Sequence, residues 1–235
     1  LRDMIYPKIE TLFVRDKNTF KVQPDVLRMP EVSLVNRWLV TEKIDGTNVR
    51  VSVFPGGVSI GMVAAGNVIQ TSVEFRGRTD NPQMPAYLLS ALEAMFPPEK
   101  FDGMFENAED VTLYGEGYGE KIQKGGGNYR EGVWFRLFDV RVDDWWLNWD
   151  NIESIAQALD IQTVPVIGYF DSLDDVATLV QDGVMSRVAQ SENPQYQQVL
   201  PYEVPRAEGV VARTEPLLCT RRGERLMWKL KTKDF

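Results

Sequence analysis

Residues 41–50 read Thr-Glu-Lys-Ile-Asp-Gly-Thr-Asn-Val-Arg and lie between an apolar run, Trp38–Val40, and an alternating one, Val49–Val53. Such flanks are typical of buried strands, and Asp45-Gly46 is a turn signal. The sequence therefore predicts a strand on each side of a turn, with Lys43 beside the turn in a partly desolvated place. Desolvation or a neighbouring cation favours the neutral amine of a lysine and makes it a nucleophile. The alternative interpretation is an ordinary hairpin with a surface lysine.

The composition excludes several kinds of catalysis. The chain has 235 residues, 43% of them hydrophobic, which suffices for one large domain or two small ones with a substantial core. It contains no histidine, so Ser-His-Asp catalysis, Cys-His catalysis and His-based metal sites are excluded. Cys219 is the single cysteine, which excludes an internal disulfide and fits a reducing compartment. No apolar run of about 18 residues and no signal peptide occurs, so we expect no contact with a membrane.

Charge is distributed unevenly along the chain. The formal net charge of −8 by itself argues against a nucleic-acid partner. Residues 206–235, however, contain eight Lys or Arg and four acidic residues, an excess of four positive charges, so the remainder carries −12. A basic binding groove on an acidic body is compatible with this distribution.

The pattern of apolar residues and turn signals predicts an α+β fold of antiparallel sheets with a few peripheral helices, and a meander of strands over residues 38–75. Helices are predicted at Pro85–Phe96, at Asn151–Leu159 with Asp150 as its cap, and at Asp171–Val180, ended by Gly183. Residues 191–205 are polar and contain prolines, which predicts a loop. We expect strands at Trp38–Glu42, Val49–Phe54, Val58–Met62, Val68–Val73, Val111–Tyr114, Val133–Val140, Gly209–Arg213 and Leu226–Leu230. No repeat or linker occurs, so residues 1–235 are predicted to form a single domain.

Four further segments carry groups capable of chemistry. Glu116, in Leu-Tyr-Gly-Glu-Gly, could bind a ribose or the water shell of a metal, or be a solvated turn residue. Residues 134–140, Trp-Phe-Arg-Leu-Phe-Asp-Val, offer an aromatic ring for a purine, although core packing is the default for such a strand. Glu208 opens a buried strand in Ala-Glu-Gly-Val-Val-Ala-Arg. Residues 227–233, Met-Trp-Lys-Leu-Lys-Thr-Lys, place their lysines on one face, either as a solvated edge or as a clamp on a phosphate.

In this order the five segments resemble the covalent nucleotidyltransferase superfamily of polynucleotide ligases and mRNA-capping enzymes. Residues 42–48, Glu-Lys-Ile-x-Gly-Thr-Asn, are most similar to the adenylated-lysine motif of ATP-dependent RNA ligases of the phage RNA-repair type. The resemblance extends from Trp38 to the C-terminus and implies an ATP-grasp-like ligase adenylation domain. It also implies an enzyme that seals 3′-hydroxyl and 5′-phosphate ends, of RNA rather than DNA, through a lysyl-AMP intermediate and an adenylylated 5′ end.

The resemblance implies a role for each site residue. Lys43 would attack the α-phosphate of ATP, and Lys229 and Lys231 would contact that phosphate. The other nucleotide contacts would be Glu42 at the adenine amino group, Ile44, Asn48 in the phosphate network, Arg78 at the ribose, Glu116 at the ribose hydroxyls, Phe135 stacked on adenine, and Glu208. Mg²⁺ or Mn²⁺ suits a site of carboxylates, which would be Asp45, Glu116 and Glu208, acting through water. Nucleic-acid phosphates would be contacted by Arg76, Lys121, Lys124 and Arg130; for the glycine-rich loop that carries the last three, a flexible surface loop is the alternative.

Two features depart from the pattern of the RNA-repair ligases. Asp45 stands where close relatives often have histidine and is more like the form in DNA ligases and capping enzymes. The chain ends soon after Lys231, so no OB-fold is expected on its C-terminal side. The alternatives are thus a small ATP-dependent DNA ligase that joins nicks, a GTP-dependent capping enzyme, which Glu42 disfavours, and a non-catalytic nucleotide- or RNA-binding module. We expect an intracellular, cytoplasmic protein, in the infected host if it is phage-encoded, and the oligomeric state stays open.

Overall fold

The computed structural model describes residues 5–56, 70–79 and 84–235, and their contacts divide the chain into two compact units. Unit 1 contains Gly46–Lys124, Gly132–Thr163 and the N-terminal residues up to Tyr6. Unit 2 contains Pro7–Asp45, Gly125–Glu131 and Val164–Phe235. Each unit takes residues from distant parts of the chain, so its core depends on long-range contacts. The assignment of residues 1–235 to a single domain stays a prediction.

Unit 2 is built around a four-stranded antiparallel sheet. Its strands lie in the order β10 (Val166–Phe170), β3 (Trp38–Lys43), β11 (Gly209–Thr214) and β12 (Met227–Lys231). Unit 2 also contains a separate two-stranded ladder, β1–β2, the helices α3 and α4, and short 3-10 helices. The elements are β1 Phe13–Arg15, β2 Val22–Leu27, β3 Trp38–Lys43, β10 Val166–Phe170, α3 Leu173–Asp182, α4 Arg187–Glu192, β11 Gly209–Thr214 and β12 Met227–Lys231.

Alternation along the strands of unit 2 defines a core face. Ala212 lies opposite Val40 on one neighbouring strand and opposite Trp228 on the other, and all three side chains are fully buried. The Trp38 and Trp228 rings meet edge to face with their centroids 5.6 Å apart. Directly opposite residues share a face of a sheet. The same register therefore puts Lys43, Gly209 and Lys231 together on the other face.

Unit 1 is built around a six-stranded sheet in the order β5-β4-β6-β7-β8, with β9 added parallel to β7. Helix α1 buries Leu88 and Leu92, and helix α2 buries Ile152 and Ala156. The elements are β4 Thr47–Phe54, β5 Ser72–Arg76, α1 Ala86–Met95, β6 Val111–Gly119, β7 Val133–Val142, β8 Trp145–Trp146, α2 Trp149–Ala158 and β9 Gln162–Thr163.

The α+β class with antiparallel sheets and few helices is confirmed, but the turn at Asp45-Gly46 is not a hairpin. β3 pairs with β10 and β11, whereas β4 pairs with β5 and β6, so the two strands that flank this turn belong to different sheets. The predicted meander over residues 38–75 is therefore wrong at its first connection. Asp-Gly signals a reversal of the chain but does not say which strands pair.

The three predicted helices form within about two residues of their expected bounds. Gly183 ends α3 with φ +95°, as expected for a glycine after a helix. The cap of α2 was wrong, because Asn148 holds the N-cap position and makes no side-chain capping bond. The loop predicted from residue 191 overlaps the end of α4, which was missed together with β10.

The predicted strand Val58–Met62 and residues 68–69 of the strand Val68–Val73 lie outside the described residues. Within the described ranges, none of the helices has both the length and the apolarity that a membrane crossing would require.

Candidate active site

Three predicted site residues meet at one end of the four-stranded sheet of unit 2. Gly209, the first residue of the central strand β11, lies opposite Lys43 of β3 on one side and opposite Lys231 of β12 on the other. Glu208 directly precedes it, and its carboxylate accepts hydrogen bonds from both lysines. Lys43 Nζ is 2.5 Å from Oε2, and Lys231 Nζ is 2.7 Å from Oε1. Strand register thus brings together three motifs that are far apart in the sequence.

A side chain at position 209 has no room. A Cβ atom there would lie 2.0 Å from the Leu230 carbonyl oxygen and 2.6 Å from the Lys231 Cα. These are backbone atoms and cannot rotate away, so only glycine permits this approach of β12 to β11. Gly209 therefore sets the short distance across which Glu208 reaches Lys231.

The carboxylate of Glu208 is held in its charged form. Burial acts to raise the pKa of Glu208, but the charge of Lys43 and the hydrogen bonds from Lys231 and Lys43 outweigh burial and leave that pKa below its ordinary value. The same ion pair holds Lys43 Nζ at Glu208, so Nζ can reach another group only after this contact opens.

The backbone of the two lysines of β12 is fixed by segments that the sequence analysis did not include. Asp234 is fully buried, and its carboxylate accepts the Lys231 N–H at 2.8 Å and the Arg15 guanidinium at 2.8 Å. The Lys229 N–H donates to the Glu10 carbonyl at 3.0 Å. Asp234 comes three residues after Lys231, a spacing that could have suggested a local cap.

The Glu42 side chain is bound by protein groups at the start of α4. Its carboxylate is 1% exposed and accepts hydrogen bonds from Ser186 Oγ at 2.6 Å, Arg187 N at 2.9 Å and Val188 N at 3.3 Å. These groups form the N-terminus of α4, where unpaired amides and the helix dipole favour an anion. The carboxylate thus binds α4, a helix that the sequence analysis missed, and the adenine contact of Glu42 stays a prediction.

The residues that follow Lys43 leave the sheet. Ile44 is buried, whereas Asp45 is exposed. The Asp45 N–H donates to the phenol oxygen of Tyr129 at 2.9 Å. Tyr129 is buried, and it was not among the predicted site residues because nothing in the local pattern links the loop at 125–131 to residue 45.

Two predicted nucleotide contacts lie side by side in unit 1. Asn48 of β4 is opposite Glu116 of β6, and Glu116 is opposite Arg136 of β7, so the three side chains share a face. Asn48 Oδ1 is buried and has no hydrogen-bond partner among the described residues, so it offers an acceptor to a ligand. Arg136 donates to the Tyr118 hydroxyl at 3.2 Å and to the Thr163 carbonyl at 2.7 Å.

Phe135 lies in the core of unit 1. It is fully buried, and its ring meets that of Phe96 edge to face at 5.2 Å. It also covers Gly115, where a Cβ would come within 2.2 Å of the Phe135 ring. The ring thus packs against protein, and its stacking on adenine stays a prediction.

Some of the side chains predicted to contact nucleic acid are exposed, and some form ion pairs with glutamates. Lys121, Lys124 and Arg78 are exposed. Arg76 forms an exposed ion pair with Glu74 at 3.0 Å. Arg130 is less exposed and pairs with Glu192 of α4 at 3.2 Å.

No group of three or more Asp, Glu or Cys side chains close enough to hold a metal ion directly occurs among the described residues. Glu208 and exposed Asp45 lie in unit 2, and Glu116 lies in unit 1. Both oxygens of Glu208 are bonded to lysines, so a cation there would compete with Lys43 and Lys231. Carboxylate oxygens are the donors that Mg²⁺ and Mn²⁺ prefer, so the donor chemistry fits a water-mediated ion.

The site thus joins a lysine, a glutamate and a second lysine at one end of an antiparallel sheet. A protein-family model described as RNA ligase matches residues 36–231, and the chain belongs to that family. A comparison with curated proteins found no match.

Solved structures of Naegleria gruberi RNA ligase share the fold. One variant with ATP and Mn has a TM-score of 0.58 at 17% identity, with 97% of this chain and 61% of that chain covered. The same ligase with PPi has a TM-score of 0.57 at 17% identity, with 97% of this chain and 62% of that chain covered. An apo variant has a TM-score of 0.59 at 17% identity, with 97% of this chain and 59% of that chain covered. The chain therefore spans about three fifths of the length of these structures.

Proposed function

We propose that this chain is the nucleotidyltransferase part of an ATP-dependent RNA ligase. Membership in the RNA ligase family supports the proposal, and the observation that carries it is the contact of Lys43 and Lys231 with Glu208. A primary amine held beside a second cation and a carboxylate provides both a nucleophile and the positive charge that attack on a phosphate requires.

The reaction begins when neutral Lys43 Nζ attacks the α-phosphorus of ATP. A P–N bond forms, the bond from the α-phosphorus to the bridging oxygen breaks, and pyrophosphate leaves. AMP then passes from Lys43 to a 5′-phosphate end, and a 3′-hydroxyl displaces it to seal the strand. Lys231, and Lys229 from the same face of β12, would neutralise charge on the α-phosphate, since electrostatics and positioning provide most of the catalysis in phosphoryl transfer.

Glu208 has two tasks in this scheme. In the ion pair it holds Lys43 Nζ, so this contact has to open before Nζ can attack a phosphorus. Together with Asp45 it would hold Mg²⁺ or Mn²⁺ through water, and such an ion would supply positive charge that neutralises the phosphates of ATP. Glu116 and Asn48 would bind the ribose and the phosphates, with Arg78 as a further phosphate contact.

RNA ends are the proposed partners, as the family membership suggests. Lys121, Lys124 and Arg76 are candidates for contacts with the RNA backbone, because exposed cations bind phosphates without reference to sequence. An intracellular location would follow from an RNA substrate and fits the single cysteine.

A strand-sealing assay tests the proposal. The protein is incubated with ATP, Mg²⁺ and a nicked duplex whose 3′-hydroxyl strand ends either in ribonucleotides or in deoxynucleotides. We expect sealing of the ribonucleotide end and a loss of sealing with the deoxynucleotide end, since the 2′-hydroxyl distinguishes the two. Equal sealing of both ends would favour a DNA ligase instead.

Lys43→Arg is the matched control. Arginine keeps a cation beside Glu208 but is never deprotonated in proteins, so it cannot act as the nucleophile. Sealing by the Lys43→Arg variant would contradict the proposed mechanism.

A further inference from the structure

The β-ladder that holds Lys43 ends at that residue. The last pair between β3 and β11 is Lys43 with Gly209, and Ile44 and Asp45 are not part of a strand. Strand pairing therefore holds Lys43 from one side only, and its position also depends on how its neighbours are fixed. These neighbours are Glu42, Ile44 and Asp45, and other groups bind Glu42 and Asp45.

Glu42 is fixed by α4. Its side chain leaves β3 on the face opposite to Lys43, and its two oxygens bind the hydroxyl of Ser186 and the amides of Arg187 and Val188. Arg187 in turn donates to the carbonyls of Val166 and Ile167 in β10, at 2.6 Å and 3.2 Å. The N-terminal end of α4 is thereby joined both to β3 and to its neighbour β10.

Asp45 is fixed by the loop Gly125–Glu131, through the bond from its amide to the Tyr129 hydroxyl. This loop is bound to the other end of α4. Asn193 Nδ2 donates to the carbonyls of Gly127 and Asn128, at 3.2 Å and 3.1 Å, and Glu192 pairs with Arg130 at 3.2 Å.

Both neighbours of the nucleophile are thus bound to one set of residues, the α4–loop assembly, which consists of Ser186–Asn193 and Gly125–Glu131. We propose that the α4–loop assembly positions Lys43 for attack, and that Tyr129 is its positioning residue on the side of Asp45. This inference rests on the proposed function, because it assumes that Lys43 is the nucleophile. Misplacement of a reacting atom by 1 Å can cost about 100-fold in rate.

The surroundings of Tyr129 suit this task. Its side chain is buried, so the packing of the ring fixes the hydroxyl that accepts the Asp45 amide at 2.9 Å.

Tyr129→Phe removes the acceptor oxygen and keeps the ring. The rate of AMP transfer to Lys43 is measured in a single turnover over a range of ATP concentrations. We expect the rate constant at saturating ATP to fall about 10-fold or more, with the ATP concentration for half-maximal rate unchanged within about twofold. A merely structural role would lower thermal stability without this selective loss of rate.

Tyr6→Phe is the matched control. Tyr6 is 7% exposed, against 6% for Tyr129, and its hydroxyl donates to Asp139 at 2.7 Å in unit 1. We expect the Tyr6→Phe variant to keep the wild-type rate within about twofold. A Tyr129→Phe variant that also keeps the wild-type rate would overturn the inference.

A cycle with Asn193→Ala tests whether the assembly acts as a whole. Asn193→Ala removes the two hydrogen bonds from α4 to the loop and leaves the ion pair of Arg130 with Glu192 in place, so the double variant should be no slower than the slower single variant. Effects of residues that act together are not additive, whereas multiplied effects would show that the loop and α4 act separately and would contradict the inference.

Hydrogen exchange of the peptide that contains Asp45 gives a readout independent of activity. Tyr129→Phe should increase exchange at the Asp45 amide, and Tyr6→Phe should not. Wild-type protein that forms no AMP adduct would refute the proposed function. Unchanged exchange at the Asp45 amide in Tyr129→Phe would refute the positioning role whether or not the wild-type protein forms an AMP adduct. The two failures are therefore distinguishable.

Discussion

The end of the sheet that carries Lys43 and the segment that carries Lys121, Lys124 and Arg130 were both predicted to contact the substrate, but they are built differently. At the sheet, Lys43, Glu208 and Lys231 are fixed by the pairing of three strands and by direct ion pairs. In the segment between β6 and β7, Lys121 and Lys124 are exposed, and Arg130 is bonded to α4.

The comparison shows that some of the predicted residues are positioned by strand pairing and others by partners that are far away in the sequence. Residues on paired strands take their positions from register, which the alternating apolar pattern encodes. Basic residues in a loop take theirs from partners elsewhere in the chain, such as Glu192 for Arg130. We therefore expect large effects at the sheet end and small ones in the segment.

The largest contrast is expected for Lys231. Lys231→Met removes a cation that contacts Glu208 and that would face the α-phosphate, so adenylation of Lys43 should slow about 100-fold, as for loss of one preorganised electrostatic contact. Lys17→Met, at an exposed loop lysine, should leave the rate unchanged. Single-turnover adenylation measures both, and equal rates for the two variants would show that Lys231 has no part in the reaction.

The next contrast compares two glycines. Gly209→Ala forces a Cβ against the backbone of β12 and should reduce the free energy of unfolding by about 2 kcal/mol. Gly127→Ala, where no atom lies within 4 Å of the added Cβ, should change it by less than about 0.5 kcal/mol. Urea unfolding of both variants checks this, and a tolerated Gly209→Ala would mean that the approach of β12 is not tight.

A third test uses pH. The folded pKa of Glu208 lies below its ordinary 4.5, so the stability that ionised Glu208 contributes is present above pH 4.5 and is lost as pH falls through the folded pKa. Glu208→Gln lacks this contribution and leaves two lysines without their anion. The deficit in stability of Glu208→Gln relative to wild type should thus be largest near pH 7 and shrink below pH 4.5. Urea midpoints of both proteins, measured across this pH range, test the prediction. A deficit that does not change with pH would show that the ion pairs of Glu208 do not contribute to stability.

The smallest effects are expected in the loop segment. Lys124→Ala should weaken RNA binding and lower the slope of log K against log salt by about 1, as for loss of one phosphate contact. Arg130→Ala should leave that slope unchanged, because Arg130 is paired with Glu192. Binding titrations at several salt concentrations measure both slopes, and equal decreases would place Arg130 among the RNA contacts.

The sequence predicted the class of fold and the strands that carry Lys43, Glu208 and Lys231, because periodicity and turn residues are local signals. It did not predict that β3 and β4 belong to different sheets, since a turn signal carries no information on partners. It also missed α4, a short helix whose N-terminus depends on Glu42, far away in the chain. Tyr129 was missed for the same reason. The contacts of Glu42 with α4 and of Phe135 with Phe96 were not predicted either, since these partners are far away in the chain.

The measurement that tests the central claim most directly is an intact-mass spectrum after incubation with ATP and Mg²⁺, with GTP in parallel. We expect a mass increase of one AMP with ATP alone, located on Lys43 by peptide mapping, and no increase in the Lys43→Arg variant. An adduct on another residue, an adduct with GTP alone, or no adduct in folded protein with Mn²⁺ also present would contradict the assignment of Lys43 as the nucleophile of an ATP-dependent ligase.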